Sequence, residues 1–457
     1  MLKNLTLEKI VEITKGQYFG PDENLKNGIE GVDLDSRKIE AGYLFVATKG
    51  ERVDGHSFIN NVLKNGAVAA IGEDEVQEEW KPYVRVKSSF QALKDIAKYY
   101  RQQLDIPVVG ITGSVGKTGT KEAIATVLSM KYNVLKTAGN FNNEVGLPLT
   151  VLRIRDTHQV AVLEMGISDF GEMHRLAEIA VPDICVMTNI GLCHLENLKT
   201  QDGIYKAKSE AFEHLNENGK IVLNGDDPIL SQKKDINGIK PYFFGLNNNL
   251  DIFADDINNL GLLGLEFSLN ENGEKYAAKV NLPGVHSVIN STAAAMVGRL
   301  LDLNMDEIVE GISRIEAVSG RSNIINTDDY LMIDDCYNAN PVSMKEAIDL
   351  LTFANGRKVA VIGDMFELGD NSDKMHYSIG EYLAQKDIDV IILAGENSVN
   401  IRNALNDKGI EDRISYFKNV DEVNENIEKI IKKGDSILIK ASHGMHFEKV
   451  IEKIKSI

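Results

Sequence analysis

At 457 residues the chain is too long for a single core, and typical domain sizes predict roughly three domains of about 150 residues each. Its 43% hydrophobic and 26% charged residues match ordinary globular proteins and exclude a disordered or fibrous chain. A net charge of −18 argues against a nucleic-acid partner, which needs clustered Lys and Arg, and leaves small anionic ligands to local basic loops. Glu8 and Glu12 interrupt the apolar character of the N-terminus, and no stretch approaches the ~18 apolar residues of a membrane span. The expectation is a cytoplasmic chain without membrane insertion. Cys185, Cys193 and Cys336 lack paired spacing and read as free thiols in a reducing compartment.

In chain order, Thr6 can cap a short amphipathic helix, "LEKIVEI". The apolar runs "YLFVAT" and "AVAAIG" follow as strands, separated by the polar loop "KGERVDGHSF", and the helical stretch "SSFQALKDIAKYYRQQL" closes a first α/β unit. From Ile106, strands and helices alternate: "PVVGIT", "TKEAIATVLSM", "QVAVLEM", "DICVMTNI" and "GKIVLN". This is the rhythm of a mostly parallel sheet covered by helices. A hairpin-like stretch at 251–282 interrupts it, and the helices "HSVINSTAAAMVGRLL" and "MDEIVEGISRI" end the unit. After "AVSGRSN" the alternation resumes through "YLMIDD", "SMKEAIDLL", "KVAVIGDM", "KMHYSIGEYLAQ", "DVIILAG", "VDEVNENIEKIIK" and "SILIKAS". The expected fold class is therefore α/β with three domains: a small N-terminal unit at 1–103, a central mostly parallel sheet at 104–316, and a Rossmann-like unit at 317–457. Gly320 marks a hinge at the second junction.

The chemistry centres on "GITGSVGKTGTKEA", residues 110–123. It departs from the strict phosphate-binding loop pattern, because Ile111 stands where the first glycine should be. The mechanics survive. Gly113, Ser114, Val115, Gly116 and Gly119 belong to a turn whose backbone N–H groups can face phosphate, Lys117 can reach the terminal phosphates, and Thr118 can ligate Mg²⁺. Carboxylates for that ion are expected at neighbouring strand ends, which singles out Glu164 and, after the next strand, His194 and Glu196.

The ordered blocks "GITGSVGKT", "GNFNNEVGLPLT", "LEMGISDFGEM", "TNIGLCHLENL", "YKAKSEAF", "GVHSVINSTAAA", "DDCYNANPVSM" and "GDMFELGDNSDKMH" resemble those of the Mur ligases, and "GVDLDSRKIEAGYLFVATKGERVDGHSF" extends the likeness to the front of the chain. The resemblance implies ATP-dependent amide formation: a carboxylate of UDP-N-acetylmuramoyl-tripeptide becomes an acyl phosphate, and D-alanyl-D-alanine displaces phosphate. It implies catalytic roles for Lys117, His194 and Lys208. Thr118 and Glu164 would hold one Mg²⁺ and His194 a second. Lys208 occupies the place of the family's carbamylated lysine, although composition alone would put it on a solvated helix face. Asn290 would contact adenine, Asp335 the ribose hydroxyls, and Arg321 the ATP phosphates on closure of the third domain. By the same resemblance Asn338 and Asn340 would recognise the dipeptide, Ser36, Arg37, Lys49 and His56 the uridine diphosphate, and the ligase would be a monomer. Two alternatives stay open: a relative that adds a single amino acid, whose D-N-P-R motif is missing from the sequence, and a non-enzymatic nucleotide-binding module.

Overall fold

The computed structural model describes every residue except Glu51, Arg52 and Leu192, together with the side chains of Leu195 and Glu196. Two compact units emerge, one comprising residues 1–191, 201–244 and 296–304, the other residues 192–200, 245–295 and 305–457. Each is α/β.

The first unit begins with the helix Leu7–Thr14, whose N-terminus is capped as expected, Thr6 Oγ1 accepting from Lys9 N at 3.3 Å. Five short strands follow in the spatial order Gln17–Phe19, Tyr83–Arg85, Ala69–Gly72, Tyr43–Val46 and Gly31–Asp33. Only the first pair is antiparallel. The helix Ser89–Gln102, capped by Ser88, leads into the larger sheet. There Tyr242–Gly245, Lys220–Asn224, Ile184–Met187, Val108–Thr112, Val160–Glu164 and Val134–Lys136 lie side by side and parallel. Strands Val108–Thr112 and Val160–Glu164 are buried along their whole length, as strands covered on both faces must be. Their register sets Ile111 opposite Glu164, so the acid emerges beside the start of the glycine-rich loop.

In the second unit the stretch read as a hairpin is a three-stranded antiparallel meander, Ile252–Asn259, Leu265–Glu271 and Glu274–Val280. The C-terminal sheet runs Asn323–Asn326, Leu331–Asp334, Ser436–Lys440, Lys358–Gly363, Val390–Ala394 and Ile414–Phe417, all parallel except the first pair. The two-residue period of a strand divides its core. Ala360 and Ile362 pack against Met344, Ile348, Leu351, Ile379 and Ile401 of helices on one face. Val359 and Val361 pack against Val423, Ile427, Val450 and Ile454 of helices on the other. The two edge strands, Asn323–Asn326 and Ile414–Phe417, went unread in the sequence because they are short and only half-buried, without the continuous apolar run of their neighbours. No helix among the described residues is long and apolar enough to cross a membrane.

One ion-pair network ties three segments of the first unit. Glu144 accepts from Lys94 Nζ at 2.6 Å and from Arg175 Nε at 2.6 Å. Hydrogen bonding to Arg175, then to Lys94, holds its carboxyl down to about 2, against an ordinary 4.5. A carboxyl depressed by folding stabilises fully above its unfolded value and loses that contribution as the pH falls towards its folded one. Glu144→Gln should therefore cost about 1–3 kcal/mol near pH 7. Urea unfolding should show the gap between the parent and Glu144→Gln narrowing below pH 4.5. A gap of constant size from pH 6 to 3 would remove the network from the stability of the fold.

Candidate active site

The loop 113–116 joins strand Val108–Thr112 to helix Lys117–Leu128, the strand–turn–helix context expected for phosphate binding. Gly113 has φ +146°, and a Cβ there would lie 1.9 Å from Thr188 Oγ1, so only glycine fits. The loop rests on the chain that follows strand Ile184–Met187. Ser114 N donates to Asn189 O at 3.0 Å and Val115 N to Asn189 Oδ1 at 2.9 Å. The Asn189 amide returns a bond to Val115 O at 3.0 Å, and the Thr188 hydroxyl donates to the same oxygen at 2.6 Å. Lys117 Nζ folds over the turn, donating to Gly113 O at 2.9 Å and Ser114 O at 3.4 Å. Thr188 and Asn189 were not singled out in the sequence. Their signal was position, at the carboxyl end of the strand beside the loop.

Glu164 sits at the mouth of the loop, 2% exposed. Its Oε1 accepts from Thr118 Oγ1 at 3.3 Å and from Asn142 Nδ2 at 2.8 Å, and its backbone N donates to Thr137 Oγ1 at 2.9 Å. Its Oε2 accepts no hydrogen bond among the described residues. Lys121 Nζ lies 4.0 Å from that oxygen. Lys121, 1% exposed, donates to Thr137 O at 2.8 Å and pairs with Glu122 at 2.9 Å. A buried carboxylate oxygen beside a threonine hydroxyl, held by neighbours that satisfy the other oxygen, is a hard-oxygen donor set of the kind Mg²⁺ takes. Lys121 was not singled out in the sequence. Its burial shows only once the helix lies on the sheet.

Lys208, in helix Gln201–Ser209, is fully buried. That overturns the compositional expectation of a solvated lysine. His194 adopts φ +50° and brings Nδ1 to 3.6 Å from Glu367 Oε2. It groups with the second unit, whereas Lys117, Thr118, Glu164 and Lys208 lie in the first. The Glu196 side chain lies outside the described residues.

In the second unit Asp335 follows strand Leu331–Asp334. Its Oδ1 accepts from Ser322 N at 2.8 Å, and its Oδ2 from the buried Lys440 Nζ at 2.5 Å. Lys440 also donates to Asn338 O at 3.1 Å, so one cation joins the strand-end acid to the "YNANP" segment. The Arg321 guanidinium stacks 4.3 Å from the Tyr337 ring centroid. Asn290 is half-buried in helix Val285–Leu300. The Asn338 side chain accepts from Ala339 N at 2.8 Å. Asn340 is the N-cap of helix Pro341–Thr352, accepting from Val342 N and Ser343 N in a capping box. Its amide oxygen is thus committed to the helix, and only its NH₂ can serve a ligand.

At the front, Arg37 is paired with Asp35 at 2.8 Å and Lys49 with Asp74 at 2.7 Å, both on exposed loops, and Ser36 is half-buried beside Arg37. His56 is buried rather than exposed on the loop surface. Its ring is 3% exposed, its Nδ1 lies 2.7 Å from Asp54 Oδ1, and its Nε2 accepts from Glu73 N at 2.9 Å. Both nitrogens are used in holding the loop, because the turn Gly55–Phe58 directs the imidazole into the core beside Trp80.

The cap at Asn340 separates structure from recognition. Asn340→Ala should cost about 1 kcal/mol, whereas Asn340→Asp keeps an N-cap acceptor and should unfold close to the parent. Equal losses in both variants, measured by urea unfolding, would show that the cap does not anchor this helix.

Comparison with known proteins gives three consecutive family matches: "Mur ligase family, catalytic domain" at residues 28–111, "Mur ligase middle domain" at 111–298, and "Mur ligase, glutamate ligase domain" at 320–443. The UDP-N-acetylmuramoyl-tripeptide–D-alanyl-D-alanine ligase of Bacillus subtilis (strain 168) is 35% identical over 98% of this chain and 98% of its own length. A crystal structure of MurF from Acinetobacter baumannii superimposes with a TM-score of 0.89 at 31% identity, covering 100% of both chains. That of MurF ligase from Thermotoga maritima in complex with ADP gives 0.80 at 31% identity over 93% of this chain and 97% of that one. Strand-end acids, glycine-rich loop and end-to-end similarity agree, and the chain belongs to the Mur ligase family.

Proposed function

We propose that this chain is an ATP-dependent ligase that joins D-alanyl-D-alanine to UDP-N-acetylmuramoyl-tripeptide in the synthesis of peptidoglycan precursors. The observation that carries the reading is the buried Thr118–Glu164 pair at the mouth of a phosphate-binding loop, in a chain similar to such ligases along its whole length. Residues 1–103 would bind the uridine diphosphate end, 104–316 ATP, and 317–457 the dipeptide. One chain carries all of these residues, so the reading implies an active monomer, and its dependence on ATP implies the cytoplasm.

The attacking group is a peptide carboxylate, which needs no deprotonation but is repelled by the triphosphate. The chain must therefore neutralise charge and align the reactants. Lys117 would supply a cation next to the loop, and backbone N–H groups of 113–119 other than those of Ser114 and Val115, which bind Asn189, would serve phosphate oxygens. Thr118 and Glu164 would hold Mg²⁺ and His194 a second ion, which would supply positive charge to stabilise the transferred phosphoryl group. Asp335, whose two oxygens already accept from Ser322 N and Lys440 Nζ, would take the ribose hydroxyls on its remaining lone pairs, with Arg321 serving phosphate and Asn290 the adenine edge. Ser36, Arg37 and Lys49 remain for the uridine diphosphate, and Asn338 and the Asn340 NH₂ for the dipeptide.

Full burial supports carbamylation of Lys208. Removing an ammonium from water favours its neutral amine. That amine can attack CO₂, forming an N–C bond and releasing a proton, and the resulting anion can orient groups around the metals.

Incubation with UDP-N-acetylmuramoyl-tripeptide, D-alanyl-D-alanine and ATP, read by mass spectrometry, should yield the pentapeptide with ADP and phosphate. ATP hydrolysis without a joined product would overturn the reading. Lys117→Ala should lose at least ~100-fold in kcat. Lys208→Ala should lose activity and regain part of it with short carboxylates, which should not help Lys117→Ala; full activity in Lys208→Ala would rule out the carbamate.

A further inference from the structure

Away from these residues, the surface of the first unit carries a second convergence of metal-ligating atoms. His174 lies in the first turn of helix Glu172–Ala180, and Glu213 and His214 end the 3₁₀ turn Glu210–His214. His174 Nδ1 is 3.0 Å from Glu213 Oε2 and 3.1 Å from His214 Nε2, and the two imidazoles meet edge to face with centroids 4.4 Å apart. One ligand atom from each residue falls within 4.8 Å of the others.

Hydrogen bonding alone accounts poorly for this arrangement. A neutral Nδ1 has either one hydrogen or one lone pair. Protonated, it can donate well to only one of its two neighbours; bare, it faces the lone pairs of a carboxylate. A tetrahedral ion with bonds of 2.0–2.1 Å holds its ligand atoms roughly 3.3 Å apart, close to the spacing seen here.

The framework around the three is built independently of them. Glu210 accepts from Gly171 N at 3.1 Å and from His174 N at 3.1 Å, tying the helix start to the turn before any ion binds. The other histidine–carboxylate group of the first unit, Asp54, His56 and Asp74, is unlike it. There Glu73 N occupies the ring Nε2 and Lys49 occupies Asp74, so no imidazole lone pair is left.

We propose that His174, Glu213 and His214 form a site for a divalent transition ion of the zinc class, with His174 Nδ1, His214 Nε2 and Glu213 Oε2 as ligands and water completing the shell. Two imidazoles and one carboxylate select such an ion over Mg²⁺, which prefers oxygen. The bound ion clips helix Glu172–Ala180, which follows the Glu164 strand, to the turn that directly follows the helix carrying Lys208. Its role is structural and independent of the ligase reading.

The test uses untagged, chelator-treated protein in excess Mg²⁺, which keeps oxygen-rich sites filled. Zn²⁺ titration by calorimetry should give one ion per chain, and Co²⁺ should show the intense visible bands of a tetrahedral site. His174→Ala and His214→Ala should each weaken Zn²⁺ binding by more than the ~10-fold typical of a lost outer partner, while Glu178→Gln should bind as the parent does. Equal Zn²⁺ affinity in the parent and both histidine variants would overturn the proposal, as would an absence of binding in the parent. Should the variants fail to fold, X-ray absorption of the zinc-loaded parent decides: two imidazole nitrogens support the site, and an all-oxygen shell removes it.

Discussion

Burying the Glu164 carboxylate at a strand end is the constraint around which the first unit is arranged. A carboxylate removed from water is costly unless hydrogen bonds and nearby charge compensate it. Here Thr118, Asn142 and Thr137 engage it or its backbone, and Lys121 stands 4.0 Å from the remaining oxygen. Those partners come from the helix after the glycine-rich loop, the "GNFNN" segment and the edge strand. The register of Ile111 against Glu164 makes them meet. One carboxylate oxygen is left short of a hydrogen bond at the mouth of the glycine-rich loop.

The second unit repeats the device with the charges exchanged. Lys440, buried at the end of strand Ser436–Lys440, is compensated by Asp335 and by the Asn338 carbonyl. Beside it, Asp364 accepts from Ser398 N and Asn397 N, Ser442 Oγ accepts from Phe366 N, and His376 Nε2 accepts from Met365 N. The "GDMFELG" segment is thereby tied to three later stretches of chain, through the side chains of His376 and Ser442 and the backbone of Asn397 and Ser398. Parallel sheets gather loops from distant sequence at the carboxyl ends of their strands, and polar groups there can be buried only in mutually satisfying sets.

Much of the framework was legible because its signals are local. Thr6 and Ser88 before amphipathic runs announce helix starts, and the apolar runs at 108–112, 160–164 and 358–363 announce buried strands. The glycines and the Lys-Thr pair of the loop announce a strand–turn–helix. Edge strands, half-buried and polar, lack that signal. The cap at Asn340 and the burial of His56 likewise have no local signal, since an "NP" start fits a helix cap as well as a loop and a polar loop does not tell which ring turns inward.

What the sequence determined by itself was the α/β class, the order of elements, the phosphate loop and the family, since each depends on residue type, period or ordered motif. Only the tertiary structure decided which polar side chains are buried and what they hold. Lys121, Lys208 and Lys440 are lysines in unremarkable local contexts, and all three are buried. Thr188 and Asn189 carry the loop from more than 70 residues downstream. The physical reason is that burial and hydrogen-bond partnership are pair properties: they depend on which distant segment arrives opposite, and strand order and register set that.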